Sequence, residues 1–340
     1  MTMSKLLGRA AATAITLALT AGTGLSQELR EITFAQPSAS AINSFPVYVA
    51  IGEGYFAEEG LEVQVETVNG SGSVLQALAA GQADFGRPGP GPLLTARARG
   101  VDAVFIYNVA ARANFGLMVE EDSPYQTPED LAGKVVGTGT ADGAEVGFAR
   151  NVLSSAGMSP GEDYELLTVG DGGPATAAFL RDEIAAYSAS VADAAVLGQR
   201  GVALRDITPA EFARFFGNGL VTMGDTIRDE PELIEKFVRA FMKGQKFAMD
   251  EANREASLDH FAAGFPQEIE DRDFASALFT AVRSKSVPLE TDKGLGYLPP
   301  AVWEEWQASL IANGDLPAPL DDLNAAFTND FVTKISAELE

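Results

Sequence analysis

Six short segments of the chain, residues 38–43, 69–73, 87–91, 138–143, 170–173 and 188–190, are made of the residue types that hold a small molecule without reacting with it. Their glycines let backbone N–H groups come close to a ligand, and their hydroxyls and amides donate hydrogen bonds. The donors are Ser38, Ser40, Asn43, Ser71, Ser73, Thr138, Thr140, Ser188 and Ser190, and Gly89 permits close approach. Arg87 is the only basic residue in these segments. It reads either as a bidentate clamp on a carboxylate or sulfonate, or as a loop arginine paired with an acid. Asp142 reads either as a helix N-cap or as the contact for a cationic group, in which case it and Arg87 would suit a zwitterion. Ser71, Ser73, Thr138 and Thr140 offer hydroxyls to a ligand or to a helix start. Tyr187 lies over the ligand or packs in the core, and Asp171, between glycines, reads as a turn former.

Covalent or acid–base chemistry has little support. There is no cysteine, and the single histidine, His260, sits in a helix-like stretch without a motif and reads as a solvated position. A thiolate metal site and a disulfide framework are excluded, and no catalytic residue, metal or cofactor is assigned. The run from Gly137 lacks the G-x-G-x-x-G spacing of a dinucleotide loop. Arg97 and Arg99 fall near a helix C-terminus and read as structural, and Phe45 reads as core.

The segments are positioned by alternating strand and helix signals, which predict an α/β architecture with mainly parallel sheets. Residues 32–35 read as a strand. Phe45, Tyr48, Val49 and Phe56 have helical spacing that Gly60 ends. Leu61, Val63 and Val65 alternate with polar residues as a half-buried strand, and a helix from Val74 stops at Gly81. Strands follow at 83–86 and 104–109 around a helix at 92–99. A second block brings strands at 134–137, 164–169 and 184–188. Helix starts are expected at Thr127-Pro128-Glu129-Asp130, at Asp142-x-x-Glu145, at Ser190-x-x-Asp193 and at Thr208-Pro209-Ala210-Glu211. After a strand at 220–223 the chain turns helical, with Leu233, Phe237 and Phe241 on one face and Trp303, Trp306 and Leu310 on another. The pattern predicts two lobes, residues 27–112 with 225–340 and residues 113–224, joined by crossing strands near 108–119 and 219–225. In such sheets a ligand sits beyond the carboxyl ends of the strands, where helix N-termini present free N–H groups.

The first 26 residues read as a cleaved secretory signal: Lys5 and Arg9, an apolar run over 10–21, then small residues. That run is too short to span a bilayer, and no later segment is long enough, so a soluble exported protein without stable membrane insertion is expected. Lacking cysteine, it has no lipid anchor of the cysteine-linked kind. The chain of 340 residues carries a formal charge of −24, which argues against nucleic-acid or anionic-membrane partners. It does not forbid an anionic ligand, because exposed charges are screened over about 8 Å at physiological salt.

The run Gly54-Tyr55-Phe56, then Glu59-Gly60-Leu61, then Gly70-Ser71-Gly72-Ser73, and the stretch from Gln76 to Gly86 resemble the solute-binding proteins of ABC importers. Within these the chain is similar to the group shared by nitrate, sulfonate and taurine binders and by thiamine-pyrimidine-synthase-like proteins. Pro92, Ala96, Gly100, Trp306-Gln307 and Phe327–Phe331 continue the likeness, which covers most of 30–335. The resemblance implies a type II periplasmic binding fold, two α/β lobes on two hinge strands with the ligand between them. It further implies a monomer in the periplasm that delivers its ligand to a permease with its ATPase. A small organic anion (sulfonate, taurine-like or carboxylate) is the first expected ligand, and a pyrimidine thiamine precursor the second. A sensor handing its ligand to a membrane receptor is a third reading. The synthases of this group use a histidine and an iron-associated cysteine motif, which a cysteine-free chain cannot supply, so an enzyme is not expected.

Overall fold

The computed structural model describes residues 29–339, so the signal-peptide reading of 1–26 lies outside the described residues. The first block contains β1 (Arg30–Gln36), α1 (Phe45–Gly52), α2 (Tyr55–Glu58), β2 (Leu61–Thr67), α3 (Gly70–Ala79), β3 (Phe85–Gly86), α4 (Pro90–Ala98) and β4 (Ala103–Tyr107). The second contains β5 (Phe115–Glu120), β6 (Lys134–Thr138), α5 (Ala144–Ser155), β7 (Tyr164–Thr168), α6 (Gly173–Leu180), β8 (Ala186–Ser190), α7 (Val191–Gln199) and β9 (Leu204–Asp206). The chain then returns through β10 (Leu220–Met223) to α8 (Gly224–Asp229), α9 (Pro231–Met249), α10 (Arg254–Gly264), α11 (Arg272–Ser284), α12 (Pro300–Ala312) and α13 (Asp330–Leu339).

Two five-stranded sheets result, ordered β2-β1-β3-β10-β4 and β7-β6-β8-β5-β9. The expectation of mainly parallel sheets is only half met. β1 runs parallel to β2 and β3, and β6 to β7 and β8, but β10 and β5 run against their neighbours. The reason is the double crossing. β5 follows β4 from the first sheet and β10 follows β9 from the second, so each enters its new sheet from the opposite end.

Local chemistry explains most element boundaries. Gly60 and Gly81 take positive φ after α2 and α3, a conformation glycine adopts at no steric cost. Thr127 and Asp130 form the expected capping box, but it opens only a 3-10 turn, Pro128–Leu131, which Gly133 (φ 71°) ends. The Thr208-Pro209 start likewise yields only a 3-10 turn, Ala210–Arg214. The sequence pattern missed α6, whose Gly-Gly-Pro opening resembles a loop. Pro174 nevertheless stands in its first turn, where the missing N–H costs nothing, and Ala175, Ala178 and Phe179 are buried.

One core surrounds Phe237 of α9, fully buried, with ring centroids 3.8 Å from Phe85, 4.8 Å from Phe56 and 6.3 Å from Phe34. A second core spans both sheets. In it α12 packs on α4 and on α5. Trp303 lies against Phe105 (5.2 Å) and Phe216 (5.0 Å), and Trp306 against Phe215 (5.0 Å). The helical tail therefore returns to the first sheet and also braces the second. Among the described residues no helix is long and apolar enough to cross a membrane. Phe237→Ala should destabilise the protein by about 3–5 kcal/mol, the scale for emptying an aromatic core site, and denaturant unfolding of the variant measures it.

Candidate functional site

The loops beyond the strand ends of both sheets close around a cavity of about 70 Å³. From the first block come Ser38 and Asn43 after β1, Ser71 in the first turn of α3, and Arg87 after β3, with Asn218 before β10. From the second come Thr140 after β6, Glu145 in the first turn of α5, Asp171 after β7, Tyr187 and Ser190 of β8, and Asp193 in the first turn of α7. Asn114 and Phe115 line it where the chain crosses into β5.

Arg87 is 5% exposed, and among the described residues no carboxylate lies within ion-pair distance of it. Of the two readings of this residue, the paired loop arginine does not describe what is seen. Its Nε donates to Ser44 Oγ (3.2 Å), which holds the side chain, and its main-chain carbonyl accepts from Asn218 Nδ2 (3.0 Å), which holds the backbone. Burial without a counter-ion lowers its pKa to about 10. It stays charged at neutral pH.

The opposite wall is acidic. Glu145 accepts from the Thr140 N–H (2.9 Å) and hydroxyl (2.6 Å), and burial pushes its pKa up. Asp171 accepts from the Tyr187 hydroxyl (3.0 Å). Asp193 and Ser190 form the expected capping box: the Ser190 hydroxyl donates to Asp193 (2.6 Å) and accepts the Asp193 N–H (3.1 Å). Burial, and next the nearby Asp171, push Asp193 up to about 7. Burial and the same acids hold the Tyr187 phenol well above its ordinary range.

Ser38, Asn43, Ser71, Arg87, Thr140, Tyr187 and Ser190 of the sequence-derived set thus come together, and six others stand outside the lining. Ser40 donates to Glu268, and Ser73 donates to the Asn69 carbonyl (2.7 Å) one turn back. Neither Ser71 nor Ser73 caps α3, whose N-cap is Asn69; the Ser71 hydroxyl accepts the Gly89 N–H (3.1 Å). Thr138 donates to the Thr140 carbonyl (3.0 Å) and Ser188 to the Glu145 carbonyl (2.8 Å), so both brace lining residues from behind. Gly89 is a close-approach point: a Cβ there would stand 2.4 Å from that of Ala144 in α5.

Asp142 does not cap α5, whose N-cap is Gly143. Its exposed carboxylate lies instead against the start of α3, 1.9 Å from where a Cβ on Gly72 would be, and an anion is favoured at a helix N-terminus. The acid that faces Arg87's cavity is Glu145, three residues on. Glu145 and Asp193 are readable in the sequence only as acids of helix starts. Asn114 and Asn218 carry no signal. His260 is not the solvated position expected: half-buried, it meets Glu53 (2.6 Å) and packs on Gly52.

Two α/β sheets with the chain crossing twice and a polar cavity between their loops define a periplasmic binding protein fold. The chain belongs to the NMT1/THI5-like family, whose model matches residues 41–255. It is 29% identical over 314 residues to the riboflavin-binding protein RibY of Chloroflexus aurantiacus, covering 89% of this chain and 86% of that one. It is 25% identical over 249 residues to the formylaminopyrimidine-binding protein of Halalkalibacterium halodurans, covering 70% and 74%. In three dimensions it matches the aliphatic sulphonate binding protein SsuA of Escherichia coli (TM-score 0.67, 16% identity, 89% of this chain and 92% of that one). The nitrate-binding protein NrtA of Synechocystis matches with TM-score 0.70, 15% identity and coverage of 92% and 90%. At these identities the structural matches speak for the fold.

The acidic wall predicts a pH dependence. Asp193 titrates near pH 7 when folded against an ordinary value of 3.8, so the folded state holds the proton more tightly than the unfolded chain. Its contribution to stability is therefore complete below about pH 4 and is lost as pH rises toward about 7. Glu145 and Glu268, also raised by burial, add in the same sense. The melting temperature of the ligand-free protein should fall across this window, and Asp193→Asn should make the fall shallower in a thermal-melt series against pH.

Proposed function

We propose that the chain is the solute-binding component of an ABC importer, working in the periplasm. It captures a small, nitrogen-rich polar heterocycle of the pyrimidine class and delivers it to a permease with its ATPase. The observation that carries this reading is the polarity of the cavity: a buried arginine without a counter-ion on one wall, and Glu145, Asp171 and Asp193 on the other. Such a site favours a ligand with an acceptor at one end and several N–H donors at the other. A carbonyl, formyl or ring-nitrogen acceptor would meet Arg87, and amino groups would meet the carboxylates. The names of the two sequence relatives, a formylaminopyrimidine binder and a riboflavin binder, support a nitrogen heterocycle. Arg87 itself favours a second reading, a taurine-like zwitterion, whose sulfonate and ammonium fit the same two walls. A plain sulfonate or nitrate would leave the carboxylates facing an anion.

Binding is coupled to a hinge closure of the two lobes, residues 27–112 with 225–340 against residues 113–224, about the crossing segments. Ligand contacts on both walls favour the closed arrangement by the ligand's differential affinity for it. The reading is of a binder: the lining side chains include no cysteine or histidine, and the carboxylates are held by Thr140, Tyr187 and Ser190 as fixed acceptors.

Thermal-shift and calorimetric screening of formylaminopyrimidine, riboflavin, taurine and simple alkanesulfonates tests the ligand class. Stabilisation by the heterocycles or taurine is expected, and a response to plain sulfonates alone would overturn the two-ended reading. Arg87→Ala should weaken the ligand by about 1.5–3 kcal/mol, roughly 10- to 150-fold in Kd, by calorimetry. Gly89→Ala should also weaken binding while leaving the melting temperature of the ligand-free protein nearly unchanged, because the added methyl obstructs closure at Ala144 and not the fold of either lobe.

A further inference from the structure

The N–H groups of the loop between β1 and α1 precede a helix, a position that favours an anion. In this chain it is already filled. Glu268, in the 3-10 turn Pro266–Ile269 between α10 and α11, reaches across 226 residues of sequence to accept the N–H groups of Ala41 (2.8 Å) and Ile42 (3.1 Å) and the hydroxyl of Ser40. Ser40 in turn accepts the Asn43 N–H (3.0 Å), and Asn43 lines the ligand cavity. Three donors converge on one carboxylate that has no basic side chain beside it among the described ion pairs.

We infer that Glu268 is a built-in anion that occupies the cradle of residues 40–42, takes those donors out of ligand recognition, and so selects against small anions that would bind there. The inference rests on the cavity being the ligand site. It makes Glu268 a specificity-determining residue that acts through the loop, holding Ser38 and Asn43 in place without touching the ligand. It also accounts for Ser40 standing outside the cavity. A groove of about 670 Å³, lined among others by Ser40, Asn43 and Glu268, borders the cradle on the Glu268 side.

Chemical rescue tests it. Thermal melts are recorded in sodium acetate or sodium methanesulfonate, against sodium chloride of equal ionic strength, for the wild type, Glu268→Ala, Glu268→Gln and Arg87→Ala. Acetate at ten times its Kd should raise the melting temperature of Glu268→Ala by about 2–4 °C and leave the wild type and Glu268→Gln unmoved. A Glu268→Ala variant that folds only in acetate shows the same rescue. A Glu268→Ala variant that responds to neither anion beyond the wild type overturns the inference. Should the wild type itself respond, loss of that response in Arg87→Ala assigns it to the ligand cavity and upholds the filled cradle, although it revises the ligand class. Survival of the response in Arg87→Ala means the cradle is open and overturns the inference.

Discussion

A guanidinium held out of water without a counter-ion is costly, and the whole site is arranged around that cost. Arg87 is buried, lies against Ser44 and Asn218 through single hydrogen bonds, and faces carboxylates only across a cavity. Desolvation has been met on both walls before any ligand arrives, as the lowered pKa of Arg87 and the raised pKa of Asp193 record. An isolated charge in a dry interior recovers little of its lost hydration from neutral partners. On the proposed reading, a ligand that presents acceptors to one wall and donors to the other restores what each wall lacks. Because the walls are already fixed by hydrogen bonds behind them, little ordering is left to offset the gain.

The scaffold explains why opposite charges can be held apart instead of collapsing into an ion pair. Arg87 is anchored on a strand end of the first sheet, and Glu145 and Asp193 on helix first turns beside the second. Between them the contacts that set the spacing are backbone and small side chains: Gly89 against Ala144, and Asp142 against the opening of α3. Away from the cavity, α12 wedges Trp303 and Trp306 among Phe105, Phe215 and Phe216, and the Arg150–Asp315 and Arg214–Glu305 pairs cross the same interface. The exposed Arg214–Glu305 pair contributes little. The aromatic contacts supply the buried area that keeps the sheets in register.

What the sequence makes legible follows from range. Strands such as β2 and helices such as α9 show their period within a few residues, and the small polar segments at strand ends supply Ser38, Asn43, Ser71, Arg87, Thr140 and Ser190 to the cavity lining. The Ser190–Asp193 box is legible as local chemistry, but its second role as an acid of the cavity wall depends on where α7 points. Asp142 and Glu145 lie on one short stretch, and nothing within it says which carboxylate turns inward; the answer lies in the close approach of Gly70 and Gly72 from another segment. Ser40 reads as a ligand donor because its partner, Glu268, is 228 residues away in sequence. α6 escapes the pattern because a Gly-Gly-Pro opening serves a loop and a helix start equally well.

The proposed closure also bears on ligand size. The cavity of about 70 Å³ is small, so in this arrangement the two walls stand close together. A larger ring system must hold the sheets further apart. Doing so sacrifices the contacts of Gly89 with Ala144 and of Asp142 with α3. Part of the added contact area is then spent on the lost closure, since a ligand shifts the equilibrium only by its differential affinity for the closed form. The neighbouring groove shares Ser38, Asn43, Asp171 and Asp193 with the cavity, so a ligand that extends there keeps the acidic wall while opening the interface on one side. In the proposed site, selection by size and selection by charge are therefore not independent: a ligand that parts the walls too far also weakens the field between Arg87 and the carboxylates.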